Sequence, residues 1–265
     1  MHGLPAKMPA IRKLLFIAPL LGLIGGLCVF SECRWQRPAP AGAAAKKEAV
    51  ATPPLDTVPT RDTGREPMVV DLGRGRFSVG AVVFDRNTRE IIIPAAVNMR
   101  EGAVEYVLVG ENGKVHEAVF TTAAAAQDIH VAALLLGAQP NPDLGPENAS
   151  ATVSRPGAVV TRVEWEHNGP PERIFLNETV NLSDPSTAAI SGTLPAGAWL
   201  YNGSRIEADG GFAATRHASI ISIIRDRDAL VNNPGASRDN DEIHTPNSEK
   251  LPKLQHPVRI ILQLK

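Results

Sequence analysis

Residues 105–136 read EYVLVGENGKVHEAVFTTAAAAQDIHVAALLL and hold two strand-like runs followed by the one clear helix of the sequence. The runs 105–109 and 115–120 flank Gly110, Glu111, Asn112, Gly113 and Lys114. Asn112 and Gly113 tolerate the positive φ that a chain reversal needs, so the pattern predicts a β-hairpin. The helix is predicted to start near Ala124, with Thr121 or Thr122 available to cap free amides, and to run through Leu136. Gly137 suits the left-handed position beyond its end, and Pro140 cannot continue it. Its last two turns are apolar nearly all round, which predicts burial against a sheet.

Strands extend outward on both sides. Upstream, 68–72 is a short apolar strand, and 77–85 (FSVGAVVFD) and 90–94 (EIIIP) form a hairpin around a polar four-residue connection. Downstream, 158–166 (AVVTRVEWE) sets Val159, Thr161, Val163 and Trp165 on one face and Arg162, Glu164 and Glu166 on the other, the pattern of a half-buried antiparallel strand. Short strands follow at 199–201, 204–207 and 212–214, and strong ones at 218–224 and 258–264. Ser183, Asp184 and Pro185 start a short helix through Ile190, ended by Gly192, and Asp226 caps another through Val231. The polar stretch 232–257 is too long for a plain turn and packs as a defined loop. Strand runs with one main helix and no β-α-β alternation predict an α+β fold, mostly antiparallel sheet with one main buried helix and short accessory helices.

The N-terminus reads as an export signal. Lys7, Arg12 and Lys13 precede an apolar run that opens at Leu14 and closes at Phe30. As a helix it spans about 25 Å, just short of a hydrocarbon core. Three outcomes fit: a retained membrane anchor, a cleaved signal with its small-residue site at Ala41 and Ala43, or lipidation at Cys28 behind Leu27. The basic end stays in the cytoplasm and the rest faces the periplasm or the outside. Residues 36–67, rich in Pro, Ala and Thr, have too little apolar surface to offset ordering entropy and form a disordered tether. The expected organisation is thus signal or anchor at 1–35, tether at 36–67 and one folded domain at 68–265.

Composition excludes several classes. The 265 residues carry 27 basic and 28 acidic side chains, without the concentrated basic face that nucleic acid requires. Both cysteines, Cys28 and Cys33, lie at the N-terminus, so the folded domain holds no thiolate nucleophile, disulfide framework or iron–sulfur cluster. GRGRFSVG lacks the spacing of a dinucleotide fingerprint, and His217, His244 and His256 meet no serine in a glycine-flanked elbow.

Residues 97–137, VNMREGAVEYVLVGENGKVHEAVFTTAAAAQDIHVAALLLG, resemble the YdjY domain family of exported bacterial proteins, and 219–262, from SIISIIRD to HPVRIIL, is similar to the family's other block. The resemblance covers most of 68–265 and implies no established reaction. Some relatives are described as ferredoxin-like, but cluster cysteines are missing here beyond position 33.

The most suggestive polar set is Glu105, His116, Glu117, Asp128 and His130. His116 and His130 with Glu105 or Asp128 would give two imidazoles and a carboxylate, enough for a divalent metal. Yet His116 and Glu117 point to opposite faces of a strand, and Asp128 and His130 diverge around a helix. The alternative is that His130 is a buried histidine and the His116–Glu117 pair fixes a turn. Asp226, Asp228, Asp239, Asp241 and Glu242 offer oxygens for calcium, though Arg227 and Arg238 are interleaved and the EF-hand spacing is absent. Trp165, Trp199 and Tyr201 line a ligand groove or pack in the core. Asn-x-Ser/Thr matches at Asn148, Asn177, Asn181 and Asn202 suggest accessible polar segments. The expectation is an exported, membrane-tethered, non-enzymatic module that binds an envelope protein or small ligand through its loops. Its rival is a divalent-metal-binding protein or metal-dependent hydrolase using His116 and His130.

Overall fold

The computed structural model describes residues 68–141, 156–167 and 169–265, all within the compact unit Asp56–Lys265. The expected anchor from Leu14 to Phe30, the tether, Cys28 and most of the loop at 138–157 lie outside them.

The first strands form an antiparallel meander: β1 (Val69–Gly73), β2 (Arg76–Val79), β3 (Val82–Asp85) and β4 (Glu90–Val97). Then come β5 (Tyr106–Gly110), β6 (Ala118–Thr122), α1 (Ala126–Leu135) and β7 (Ala158–Trp165). The middle of the domain adds β8 (Glu172–Phe175), β9 (Val180–Ser183), β10 (Ile190–Thr193) and β11 (Trp199–Tyr201). α2 (Ala213–His217), β12 (Ser219–Ser222), β13 (Val231–Asn232), β14 (His244–Pro246) and β15 (Pro257–Leu264) complete it.

Eight strands close on themselves in the order β4-β15-β7-β11-β13-β12-β5-β6, because β6 pairs with β5 on one side and returns to β4 on the other. β9, β10 and β14 make a separate small sheet. The fold is therefore sheet-dominated: a mixed eight-stranded barrel, a small sheet and two short helices. Closure removes edges, the standing liability of open sheets.

One wall of the barrel is strong and the other short. β4, β7 and β15 have eight residues each, and β15 pairs along β4 on one edge and β7 on the other. Pro94 shows how β4 is shared. Val97 N–H donates to His256 O and Val97 O accepts from Gln255 N–H, so odd-numbered residues of β4 bond toward β15. The missing N–H of Pro94 therefore faces the other edge, in the gap where β3 ends at Ile92 and β6 begins at Ala96. Only such an unpaired position accepts proline inside a strand.

Several expected elements change. The hairpin predicted from 105–109 and 115–120 does not form: β5 and β6 are parallel, joined by a reversal and a 3-10 turn at Val115–Glu117. The turn chemistry is where it was expected, with Gly113 N–H on Gly110 O at 2.9 Å, but the chain continues backward before starting β6. The single strand 77–85 is broken at Gly80 into the β2–β3 hairpin. Asp184 starts a turn, its Oδ1 accepting from Ser186 and Thr187, and the predicted helix there is the β9–β10 connection. The predicted strand 212–214 is the start of α2, and no helix runs from Asp226 to Val231. α1 is buried on one face only, through Ala126, Ile129, Ala132 and Ala133, while Leu134 and Leu135 are each 47% exposed. Its C-terminus is a Schellman motif, with Gly137 N–H on Leu134 O and Ala138 N–H on Ala133 O, both 2.9 Å.

α1 packs on β2, β3 and β4, and Asp128 reaches the tip of the β2–β3 hairpin. Gly80 there has φ +55, and a β-carbon at that position would collide with the Asp128 carboxylate. Gly73 also has a positive φ, +80, but open space around it. In urea unfolding, Gly73→Ala should cost about 1 kcal/mol, the backbone term alone. Gly80→Ala should cost roughly 2–4 kcal/mol, because steric displacement adds to the backbone term. Equal losses would show that Asp128 yields without cost.

Candidate functional site

The expected polar residues separate into distinct neighbourhoods. His116 lies on the 3-10 turn between β5 and β6, its side chain 74% exposed and its Nε2 3.5 Å from Glu117 Oε1. Lys114 joins that corner, with Nζ 3.0 Å from Glu105 Oε2 and 3.4 Å from Glu117 Oε2, and it sits over the Tyr106 ring. Burial opposes its charge. The hydrogen bond to Glu105 and the Tyr106, Glu105 and Glu117 charges outweigh burial and hold Lys114 above the ordinary ammonium range. The Tyr106 hydroxyl donates to Asp226 Oδ2 at 3.1 Å, and burial followed by the Asp226 charge pushes its pKa up to about 12.

His130, on α1, belongs elsewhere. Its Nδ1 is 2.7 Å from the Tyr201 hydroxyl, and its ring lies against Phe212 with centroids 4.9 Å apart. Gly203 makes room: a β-carbon there would come within 2.9 Å of Pro140 and 3.5 Å of the His130 ring. Burial lowers the His130 pKa and raises that of Tyr201, so both are neutral near pH 7. Asp128 lies against Gly80. The two histidines thus have separate partners, and among the described residues no group of three or more His, Cys, Asp or Glu converges in a way that would hold a metal.

The expected calcium oxygens are dispersed as well. Asp228 Oδ1 accepts from Arg205 Nε at 2.6 Å, and Asp239 is held bidentately by Arg225 at 2.8 and 2.9 Å. Asp226 turns inward: its Oδ1 accepts from Asp228 N–H at 2.8 Å, and its backbone is bound by Asn232. Asp239 and Asp241 line one open cleft of about 280 Å³, together with Ile224, Arg225 and Arg238. Arg238 is 2% exposed, a cation buried at the floor of a loop region.

What binds this region together is a set of buried asparagines. The segment 223–230 joins β12 to β13, which run parallel; its ends bond backbone, as Ile223 N–H does to Glu105 O and Leu230 N–H to Ile220 O, and side chains take groups between them. Asn232 Nδ2 donates to Asn202 Oδ1 at 2.8 Å and to Asp226 O at 2.7 Å, while Asn232 Oδ1 accepts from Asp226 N–H at 2.9 Å. Asn202 Nδ2 donates to Ala229 O at 2.8 Å, and Asn233 Nδ2 to Ile223 O at 3.1 Å. Asn98 does the same for the other parallel crossing, donating to Val115 O at 2.6 Å and Ala118 O at 2.8 Å. Asn202 was read from sequence as an accessible glycosylation match. It is 5% exposed, and Asn177 and Asn181 are buried too, which corrects that expectation. Asn148 lies outside the described residues. Trp165, Trp199 and Tyr201 are core residues.

The sequence does not signal this network, nor that His244, weighed there only for serine catalysis, is fully buried at the start of β14. A side-chain amide beside a short parallel crossing leaves no periodic signal. The cluster Val231, Asn232, Asn233, Pro234 and Gly235 was the one visible clue.

A family model described as the YdjY domain matches residues 82–263, well over half of the chain. No curated protein and no solved structure matches it.

The chain has two tyrosines, both described and both raised. Phenolate absorbance should therefore stay low in the folded protein near pH 11, read by rapid mixing, whereas the denatured chain ionises near pH 10. Ionisation near 10 in the folded protein would mean that at least one of the two phenols is not buried as described.

Proposed function

Because the chain belongs to the YdjY domain family, whose description names a domain and no reaction, we propose a function from its own surface: an exported, membrane-tethered, non-enzymatic module that pairs with an extended segment of an envelope protein. The supporting observation is β1. Among the described residues it has one neighbour, β2, so its outer edge there offers N–H and C=O groups for pairing. Met68, Val69, Val70 and Leu72 are 68, 42, 42 and 51% exposed. A free edge bearing apolar side chains is the surface used in strand addition, where main-chain bonds supply affinity and side-chain contacts supply selection.

Position supports the same occupant. The tether at 36–67 leads toward β1, and the 37 residues 31–67 reach at most about 130 Å from the expected anchor at 14–30. The edge is therefore confined near the membrane where envelope proteins reside. Meanwhile carboxylates expected as metal or calcium ligands form ion pairs: Glu105 holds Lys114, Asp228 holds Arg205 and Asp239 holds Arg225. Such committed groups support binding rather than proton transfer.

A photo-crosslinking side chain placed at Val70 of the full-length, membrane-located protein should yield a discrete adduct with an envelope protein, identified by the mass of the linked peptide. The same probe at Leu254, 53% exposed, should not yield that adduct, and Leu72→Lys should suppress it. The absence of an adduct at position 70, the same adduct at 254, or an adduct only with a second copy would overturn the proposal.

A further inference from the structure

His244 is fully buried, and neither ring nitrogen has a hydrogen-bond partner. A neutral imidazole carries one donor and one acceptor, and buried polar groups are nearly always paired, so this double omission calls for an explanation. The ring sits at a seam. His244 faces Leu182 across the β14–β9 pairing, and its carbonyl accepts from Val104 N–H, just before β5, at 3.0 Å. One residue earlier, Ile243 O accepts from Ser183 N–H at 2.8 Å. β14 thus ties the small sheet to the segment that feeds the barrel.

The surroundings leave a proton on the ring with little support. Asp241, exposed three residues upstream, is the charge that acts favourably on a protonated His244, and burial outweighs it, pushing the pKa down to about 4. Leu182 on β9 and Val104 before β5 carry no charge. The adjacent turn Ala236–Asp239 carries Arg238 and Asp239, the latter held by Arg225.

We propose that His244 is an acid-sensitive latch: protonation of its ring releases β14 from β9 and from Val104 while the barrel remains closed. A solvent proton adds to the unprotonated imidazole nitrogen and leaves two buried N–H donors, neither with a partner among the described residues, so the ring gains by reaching water. β14 is three residues long and lies at the end of its sheet, so it can leave without breaking the barrel ladder.

The sign follows from linkage. The released form titrates near the ordinary 6.5, and the latched form only near 4. Above about pH 6.5 neither binds the proton and the latch has full strength. Between those values the released form binds a proton that the latched form does not, so the latched-to-released ratio falls about tenfold per pH unit.

Amide exchange in the full-length chain in detergent, corrected for the intrinsic pH dependence of exchange, reads this directly. Between about pH 7 and about pH 4.5, protection at Val104 and Ser183 should fall roughly 100-fold. Ile260 and Leu262 on β15 should keep theirs, and His244→Leu should abolish the fall. If that variant does not fold, the His244 ring signals of the unaltered protein decide: titration below about pH 5 in the latched form supports the latch. Loss of protection shared by β15, the same fall in His244→Leu, or a ring titrating near 6.5 would overturn it.

Discussion

A barrel that contains parallel neighbours must carry its chain backward between them, and the returning segments lose the ladder partners that strands enjoy. Here the returns are short: 111–117 between β5 and β6, and 223–230 between β12 and β13. Loop backbone supplies some of the missing partners, as where Ile223 N–H meets Glu105 O and Arg225 N–H meets Arg238 O, and asparagine carboxamides supply others, Asn98 for the first return and Asn202, Asn232 and Asn233 for the second. A carboxamide has donors and an acceptor on one planar group, so it can replace two neighbouring backbone groups at once. Asn232 does so, bonding both the N–H and the C=O of Asp226.

The rest of the architecture follows from that closure. β5, β6, β11, β12 and β13 are short and would be weak in an open sheet, whereas β4, β7 and β15 form a long antiparallel wall. β4 and β7 each divide one edge between a barrel strand and an outer strand, β6 and β3 for β4, β11 and β8 for β7. The outer strands run out to β1, whose outer edge has no partner among the described residues. Closure of the barrel and exposure of β1 are thus two results of one division, and the small sheet is joined through β14 and its buried histidine.

The parts legible in the sequence were those with a local signal. The alternation of 158–166 placed Val159, Val163 and Trp165 inside β7, the apolar run 258–264 became β15, and Gly137 ended α1 as its φ of +78 requires. The domain was readable as strands with one main helix, but closure into a barrel was not, because it depends on β6 pairing with β4, which lies more than twenty residues earlier. Asn112 and Gly113 announced a reversal without stating what the reversed chain would pair with. The candidate site was harder still. His116 and His130 are visible as polar residues in an apolar block, but whether they meet is a long-range property, and one ends exposed while the other bonds Tyr201. Asn202 and Asn232 join across thirty residues with no pattern between them.

The Asn202–Asn232 contact is where the account is most exposed to measurement. A double-mutant cycle with Asn202→Ala, Asn232→Ala and the double variant, followed by urea unfolding, isolates their coupling. The single changes should each cost roughly 2–4 kcal/mol, since each leaves buried backbone groups unpaired. The account predicts a coupling of about 1 kcal/mol or more between them. Costs that add to within about 0.3 kcal/mol would contradict it, for the two amides would then be acting independently and the crossing would be held by something else.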